Sequence, residues 1–422
     1  MKMRLSVILA VGVILLAALE ISLFRSRRAH ASGSYESGFN LAAFTIPSSI
    51  SPPKDFCMFS RESVDIVRPI YQRLENDLRK YAQLTEFQRE QYVRGCRDTP
   101  DICTFVSIRD GKARVVQSAM GFEDRNSLIL QHLARIVEMF EPLPDVDFAI
   151  DHGDGSRSTD YLPRFMLSTY VQAPQGIMIP DFSFIDWPTS KCRNEASRSF
   201  TVFVSNATDR WSVMKANATQ YVMDKVNDIF WRGSQLENPK REKQLDAVMN
   251  SSSLPSEFLN LSFMNRAVEG DGGCISMHDH CSHRHLLHLQ GNTYSSRLKY
   301  LLLCGSVVFV PQQEYEEWWY PAIASADSTT PDNEIVIHLE EDMSGFDDKV
   351  YDLIEGDLNR TISLSTRALD FALQVFSSRN VDCYWGSVII GAARAWGTII
   401  DGSPGKPLEE VLRNPKSVFS EL

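Results

Sequence analysis

Apolar positions along the chain fall into three kinds of run. The first, Leu5 to Phe24, is nearly unbroken, with only Ser6, Glu20 and Ser22 polar. A run of that length spans a bilayer as a helix. The second kind is periodic. From Ser63 to Arg94, Val64, Ile66, Val67, Ile70, Tyr71 and Leu74 recur at spacings of three and four, and Ser127 to Phe140 repeats the pattern; both predict amphipathic helices. The third kind is short and bounded by turn residues. Phe105–Ile108 and Ala113–Val116 predict a hairpin around Arg109-Asp110-Gly111, and Val146–Ile150 a buried strand before the polar turn Asp151-His152-Gly153-Asp154-Gly155.

Alternating units follow. Gly176–Asp181 predicts a strand end, Asp228–Ser234 a strand entering a polar loop, and His285–Leu289 a segment leading into Gly291-Asn292. A helix over 295–304, a strand over 306–310 and a helix starting at Tyr315–Tyr320 complete the series. Strands alternating with helices argue for α/β layers with parallel sheets. Residues 25–55, rich in Ser, Gly, Ala and Pro and ending in Ser51-Pro52-Pro53, read as a stem.

Lys2 and Arg4 precede the first run, and Arg25, Arg27 and Arg28 follow it. Two readings fit: an uncleaved anchor, or a signal peptide cut after Ala29-His30-Ala31. The length of the run and the three arginines before that site favour the anchor. Positive charge on both flanks specifies orientation only weakly. Either way, a cytoplasmic N-terminus sends the body of the chain into the secretory pathway. The sequons at Asn206, Asn217, Asn250, Asn260 and Asn359 agree with that, and so does an even count of eight cysteines, which fits four disulfides in an oxidising compartment. Eight reduced core cysteines are the alternative, and the apolar run weighs against it.

Composition then limits the partners. The 422 residues suffice for about two domains. A net charge of −11 excludes non-specific nucleic-acid binding, which needs a basic face to displace counterions. An anionic ligand must instead be met by a local cluster of cations or backbone N–H groups.

Four stretches carry the candidate chemistry. In Trp231-Arg232-Gly233-Ser234 a guanidinium, a closely approachable backbone and a hydroxyl sit together at a strand end, suited to a diphosphate; an exposed turn is the ordinary alternative. In Gly291-Asn292-Thr293-Tyr294-Ser295-Ser296-Arg297-Leu298-Lys299 small polar residues open a helix whose start presents N–H groups, with Arg297 and Lys299 adding charge; a plain Ser-capped helix would read the same. In open α/β sheets ligands gather at the carboxyl ends of strands, so the two stretches support each other. Third, an Asp in the 151–155 turn can act as a general base, although Asp-Gly turns are common. Upstream, Asp145-Val146-Asp147 matches a metal-holding Asp-x-Asp pattern, which we discount because Asp147 enters an apolar strand. Fourth, five of the nine histidines, His278, His280, His283, His285 and His288, lie near Cys274, Asp279 and Cys281. Zinc takes such ligands, yet the spacing fits no zinc signature, which favours a polar loop with partly buried histidines.

Taken in order, these stretches resemble glycosyltransferase family 90, the CAP10/Rumi-like group. Gly291 to Val310, with Glu314-Tyr315 and Trp318-Trp319-Tyr320 after it, is the strongest match; Trp231–Ser234, Ile179–Pro188 and Asp145–Asp154 also correspond, over about residues 55–400. The resemblance implies a GT-B-like fold, two Rossmann-like domains facing a donor cleft. It implies inverting transfer from a UDP-sugar, with xylose or glucose expected, to a glycan or glycoprotein, and no required metal or other cofactor. It casts Asp154 as the base. Arg232, Gly233, Ser234, Asn292, Tyr294, Ser295, Ser296 and Arg297 line the donor, Glu314 meets its nucleoside, and Phe182, Phe184 and Trp187 line the acceptor cleft. It also implies the disulfides Cys281–Cys304, Cys96–Cys103 and Cys57–Cys383, which leaves Cys192 with Cys274.

The expected organisation is a cytoplasmic tail (1–4), an anchor (5–24), a stem (25–55), an acceptor-side domain carrying the base (56–175), a UDP-sugar domain (176–380) and a C-terminal helix returning to the first domain (381–422). The Asp151–Gly155 turn departs from the Arg-Asp-Tyr-Pro type of animal members, and Phe419-Ser420-Glu421-Leu422 is no Lys-Asp-Glu-Leu retrieval signal. Both favour a fungal-type, single-pass type II protein of the Golgi or ER with a lumenal body. A non-catalytic sugar- or nucleotide-binding protein on the same fold, and a zinc hydrolase built on the histidine loop, are the competing readings.

Overall fold

A computed structural model describes residues 57, 61–140, 142–155, 162–186, 199–234, 238–250, 254–264, 275–327, 334–402 and 405–414. The expected anchor and stem, Trp187, Cys192 and Cys274 lie outside the described residues. Among the described residues, no helix is long and apolar enough to cross a membrane.

The helical pattern of 63–94 resolves into two helices, α1 (Arg61–Lys80) and α2 (Glu86–Arg97). The break is a turn with Gln83 at φ 65°, after which Thr85 and Gln88 form a reciprocal capping box that starts α2. β1 (Cys103–Arg109) and β2 (Lys112–Gln117) form the expected hairpin, with Asp110 and Gly111 both at positive φ, as a tight two-residue turn requires. Then come α3 (Glu123–Met139), β3 (Val146–Asp151) and three two-residue strands, β4 (Phe165–Met166), β5 (Thr169–Tyr170) and β6 (Ile177–Met178). The second half runs α4 (Phe200–Ala216), α5 (Ala218–Met223), β7 (Val226–Gly233), α6 (Pro239–Met249), β8 (Leu259–Phe263), α7 (Met277–His280) and β9 (His283–Leu287). It continues with α8 (Arg297–Leu302), β10 (Val307–Pro311), β11 (Tyr315–Glu316), α9 (Tyr320–Asp327), β12 (Ile337–Leu339) and α10 (Phe346–Tyr351). Last are α11 (Leu358–Val375), α12 (Ser378–Ala395), β13 (Lys406–Pro407) and α13 (Leu408–Arg413).

One expectation is corrected here. Tyr315–Tyr320 does not begin a helix: Tyr315 and Glu316 pair with Tyr170 and Thr169 as a strand, and the helix starts at Tyr320. Tertiary pairing overrides the local pattern.

Two sheets organise the chain. The first, β13-β2-β1-β3-β4-β6, is mixed, antiparallel through β1 and parallel from β3 to β6. The second, β12-β10-β9-β7-β8, is parallel throughout, and its interior strand β10, Val307-Val308-Phe309-Val310-Pro311, is buried along its whole length, as a sheet covered on both faces demands. In chain order its strands run 2-1-3-4-5. The path reverses between β7 and β9, and in such sheets ligands bind outside the carboxyl ends of the two strands at the reversal.

The halves are stitched together. The β5–β11 ribbon joins them, and Arg73 of α1 pairs with Glu316 at 2.9 Å. Helix α12 packs on α1, α3 and β3, and β13 adds to the edge of the first sheet. The disulfides Cys57–Cys383, Cys96–Cys103 and Cys281–Cys304 are all present, as the family resemblance implies.

Candidate active site

The reversal point of the parallel sheet lies between the loops after β7 and β9, which hold Gly233-Ser234 and Gln290-Gly291-Asn292. Arg241, on α6, bridges them. It donates from Nη1 to the Ser234 carbonyl (2.6 Å) and from Nη2 and Nε to the Gln290 carbonyl (2.6 and 3.2 Å). Its guanidinium also lies over Trp231, as does that of Arg297. Gly291 is there for space: a Cβ would sit 2.5 Å from the Tyr294 carbonyl oxygen. Arg297 is buried, so its charge sits where solvent screens it least and an anion would feel it most.

Arg232 is oriented differently. Its guanidinium stacks on Phe230 and donates to the Asn260 carbonyl (2.6 Å) and Oδ1 (2.5 Å) on β8. Both arginines nevertheless border His280. Burial lowers the pKa of that histidine to about 3, with Arg297 and, more weakly, Arg232 adding to the effect. The crevice is thus cationic although the chain is acidic.

Asp154 reaches this crevice from the first sheet. The turn after β3 is shaped by Asp151, whose Oδ1 accepts from the Gly153 N–H at 2.8 Å. The Asp154 backbone oxygen accepts from Ser168 Oγ at 2.9 Å and from Thr293 Oγ1 across the boundary between the halves. At Gly155 a Cβ would lie 2.8 Å from the Tyr315 ring and 2.9 Å from Thr293 Cγ2, so the turn is seated directly on the loop after β9. The Asp154 carboxylate is 37% exposed and paired with Arg125 of α3. The Arg125 guanidinium lies between the rings of Phe122 and Phe182.

Several expected site residues have other duties. Tyr294 and Ser296 direct their hydroxyls to Asp181 (3.0 and 2.7 Å). Lys299 adds no charge to the crevice: it is fully buried, 3.2 Å from the Asp181 carboxylate and 3.3 Å from Glu317. Helix α8 is only six residues long, so Arg297 rather than a long helix dipole supplies the positive potential. Phe182 is buried against Arg125, while Phe184 is turned into the core against Phe200, Trp318 and Phe376. Glu314 is held by Lys240 at 2.8 Å beside a groove of about 650 Å³ lined by Lys240, Gln244, Gln312, Glu340, Glu341 and Ser344, at the carboxyl ends of β10 and β12.

Arg125, Asp181, Arg241 and Gln290 were given no role on sequence grounds. Lys240-Arg241-Glu242-Lys243 reads as a solvated helix face, and only its placement one helix after β7 hints otherwise.

The other candidates have structural explanations. Asp147 is buried in a two-pronged ion pair with Arg109 (2.8 Å twice) and accepts from the Ile399 and Ile400 N–H groups, while Asp145 accepts from the Asp110 N–H. The Asp-x-Asp pair therefore ties the hairpin to the C-terminal segment. The histidines diverge. His278 bonds Asn206, His283 stacks on Phe230 and pairs with Asp228 at 2.7 Å, and His285 and His288 are buried, with burial lowering both to about 3. Cys281 is spent in its disulfide, and among the described residues no three His, Cys, Asp or Glu side chains gather as a metal-binding group.

These observations define a class: an α/β protein with arginines gathered at the topological reversal of its parallel sheet, against which a turn from the other sheet, carrying Asp154, is seated. The chain belongs to glycosyltransferase family 90, whose model, described as Glycosyl transferase family 90, matches residues 66–396. It is 21% identical over 266 residues to Protein O-glucosyltransferase 1 of Mus musculus, covering 60% of this chain and 64% of that protein. The human protein of the same name is 21% identical over 269 residues, with the same shares covered. O-glucosyltransferase rumi of Drosophila pseudoobscura pseudoobscura is 29% identical over 114 residues, 27% of this chain and 26% of that protein. The chain therefore spans less than two thirds of the length of the first two relatives.

Proposed function

We propose that the chain is an inverting glycosyltransferase that moves a sugar, xylose or glucose, from a UDP-sugar to a hydroxyl of a glycan or glycoprotein. The observation that carries this reading is the contact of Thr293 Oγ1 with the Asp154 carbonyl oxygen, which seats the turn that bears this partly exposed carboxylate on the loop that leads to Arg297. Asp154 takes the proton of the acceptor hydroxyl as its oxygen attacks the anomeric carbon. The bond from that carbon to the UDP oxygen breaks, and the electron pair leaves with UDP. Arg297 and the backbone N–H groups of Gly233, Ser295 and Ser296 stabilise the charge that develops there. Ser234 and Asn292 stand at the rim of the same crevice. Arg232 joins them only by leaving Asn260. Glu314 and the groove beside it take the nucleoside.

This arrangement needs no metal for the leaving group. The two-sheet plan supports a GT-B-like reading, with base and donor on opposite halves. Three disulfides and the sequons support a lumenal, secretory location, with the Leu5–Phe24 run as a type II anchor.

The test is a donor screen. Purified protein is incubated with single UDP-sugars in EDTA, and released UDP is counted. Turnover of one sugar, lost in Asp154→Asn and in Arg297→Ala, is the expected result. Absence of release leaves a missing acceptor or a binding protein, and UDP binding by calorimetry then decides whether the donor-site reading stands.

A further inference from the structure

A group of fully buried charges outside the reacting groups lies where the two halves meet. Asp181, in the loop after β6, is 1% exposed. Its Oδ2 accepts from Ser296 Oγ (2.7 Å) and Tyr294 Oη (3.0 Å), and Ser183 Oγ lies 2.9 and 3.1 Å from its two oxygens. Its Oδ1 faces Lys299 Nζ at 3.2 Å. Lys299 is fully enclosed, 4.6 Å above the Phe184 ring and 3.3 Å from Glu317. At the next position, Tyr300 Oη donates to the Ser183 carbonyl at 2.9 Å. Four polar contacts thus join residues 181–183, from the first sheet, to residues 294–300, from the second.

A buried ion pair of this kind is a poor source of stability, because desolvating both charges offsets most of their attraction, and apolar residues of similar volume would serve as well. What such a network specifies is geometry. A single carboxylate oxygen that accepts from both Tyr294 and Ser296 fixes the relative placement of two residues separated by one position. The next residue is Arg297. We infer that Asp181 is a positioning residue: it holds the Tyr294–Ser296 turn so that Arg297 faces the donor diphosphate, and it does so from the half of the molecule that also carries Asp154. The base and the donor-binding cation are thereby referenced to one rigid point, across a boundary where a displacement of 1 Å costs catalysis heavily.

The inference rests on the donor-site reading, and the experiment separates the two. UDP affinity is measured by calorimetry on the full chain and on Arg297→Ala, Asp181→Asn, Ser296→Ala, Tyr294→Phe and the core variant Ile136→Val, with the melting temperature of each. Wild type binding UDP and Arg297→Ala losing it establishes the site. Asp181→Asn and Ser296→Ala are then each expected to weaken UDP about tenfold, as loss of a hydrogen bond to a charged group does. The double variant should be no weaker than Asp181→Asn alone, because both changes act through one contact. Ile136→Val lowers the melting temperature without changing affinity, which distinguishes positioning from general destabilisation. Should Asp181→Asn prove too unstable to purify, Ser296→Ala and Tyr294→Phe carry the test, since each removes one bond and leaves the ion pair intact. UDP affinity unchanged in all three, with Arg297→Ala defective, overturns the inference and leaves the donor site standing. No UDP binding by wild type overturns both.

Discussion

Asn260 uses both ends of its amide inside the fold: Oδ1 and the backbone carbonyl receive Arg232, while Nδ2 donates to Asp228 at 2.8 Å. The same residue opens the sequon Asn260-Leu261-Ser262. A glycan on Nδ2 would break the Asp228 bond beside a paired strand. Asn217, Asn250 and Asn359 are exposed, and Asn206 is half-buried against His278. Peptide mapping after secretion from a eukaryotic host should find glycan on the exposed sites and none at Asn260. A fully occupied Asn260 would show that β8 is not built as described.

Arg125 holds the Asp154 carboxylate and is itself held between two aromatic rings. Replacing it with Ala frees the carboxylate to rotate away from the acceptor. Turnover should fall roughly 10- to 100-fold with the KM for the donor unchanged. A raised donor KM with normal turnover would place Arg125 on the donor side instead.

Gly291→Ala brings a methyl to within 2.5 Å of the Tyr294 carbonyl and forces the donor loop to shift. UDP affinity should drop about tenfold or more, while Gly345→Ala, at a glycine with nothing within 4 Å of a built Cβ but a left-handed φ of 71°, should cost only stability. Equal UDP affinity in both variants would remove the loop from the donor site.

Burial lowers His152, His280, His285 and His288 to about 3. In the unfolded chain each titrates near 6.5. The folded values are depressed, so the stability they contribute is complete above about pH 6.5 and is lost as pH falls toward 3, at roughly 1.4 kcal/mol per group per pH unit. Glu317 runs the other way. Burial raises it to about 8 against the pull of Lys299, so its contribution is complete below its unfolded value of 4.5 and is lost as pH rises through 8. The four histidines outnumber it. The melting temperature should fall by several degrees between pH 6.5 and 5, and less steeply in His285→Phe. A flat profile over that range would mean that these histidines titrate normally.

Local signals were readable wherever the chain settles its structure locally. Asp110-Gly111 announced the hairpin, and the apolar run at 306–310 announced a strand. Trp231–Ser234 and Gly291–Arg297 stood out as small polar residues with an arginine at strand ends, and the structure brings both stretches to the reversal of the parallel sheet. What depends on contacts between distant residues was hidden. Nothing near Asp181 tells that it meets Tyr294 more than a hundred positions later, and Arg241 sits in a charged stretch that looks solvated. The capping box at Thr85 was in plain view, but the apolar repeat ran through it and masked the break. Tyr315 became a strand because Tyr170 was there to pair with it.

The Cys57–Cys383 bond joins residues 326 positions apart. During synthesis at about 5–20 residues per second, Cys57 emerges roughly 15–65 seconds before its partner exists. Throughout that time it is a thiol among others, while Cys96 and Cys103, seven apart, can close almost at once. This crosslink can therefore form only after Cys383 has been made, and helix α12 must find its place on α1 before the bond can seal it. Pulse-labelled chains should pass through a form lacking only this crosslink, and premature pairing of Cys57 with a cysteine that precedes Cys383 is the error that a cell making this protein must undo.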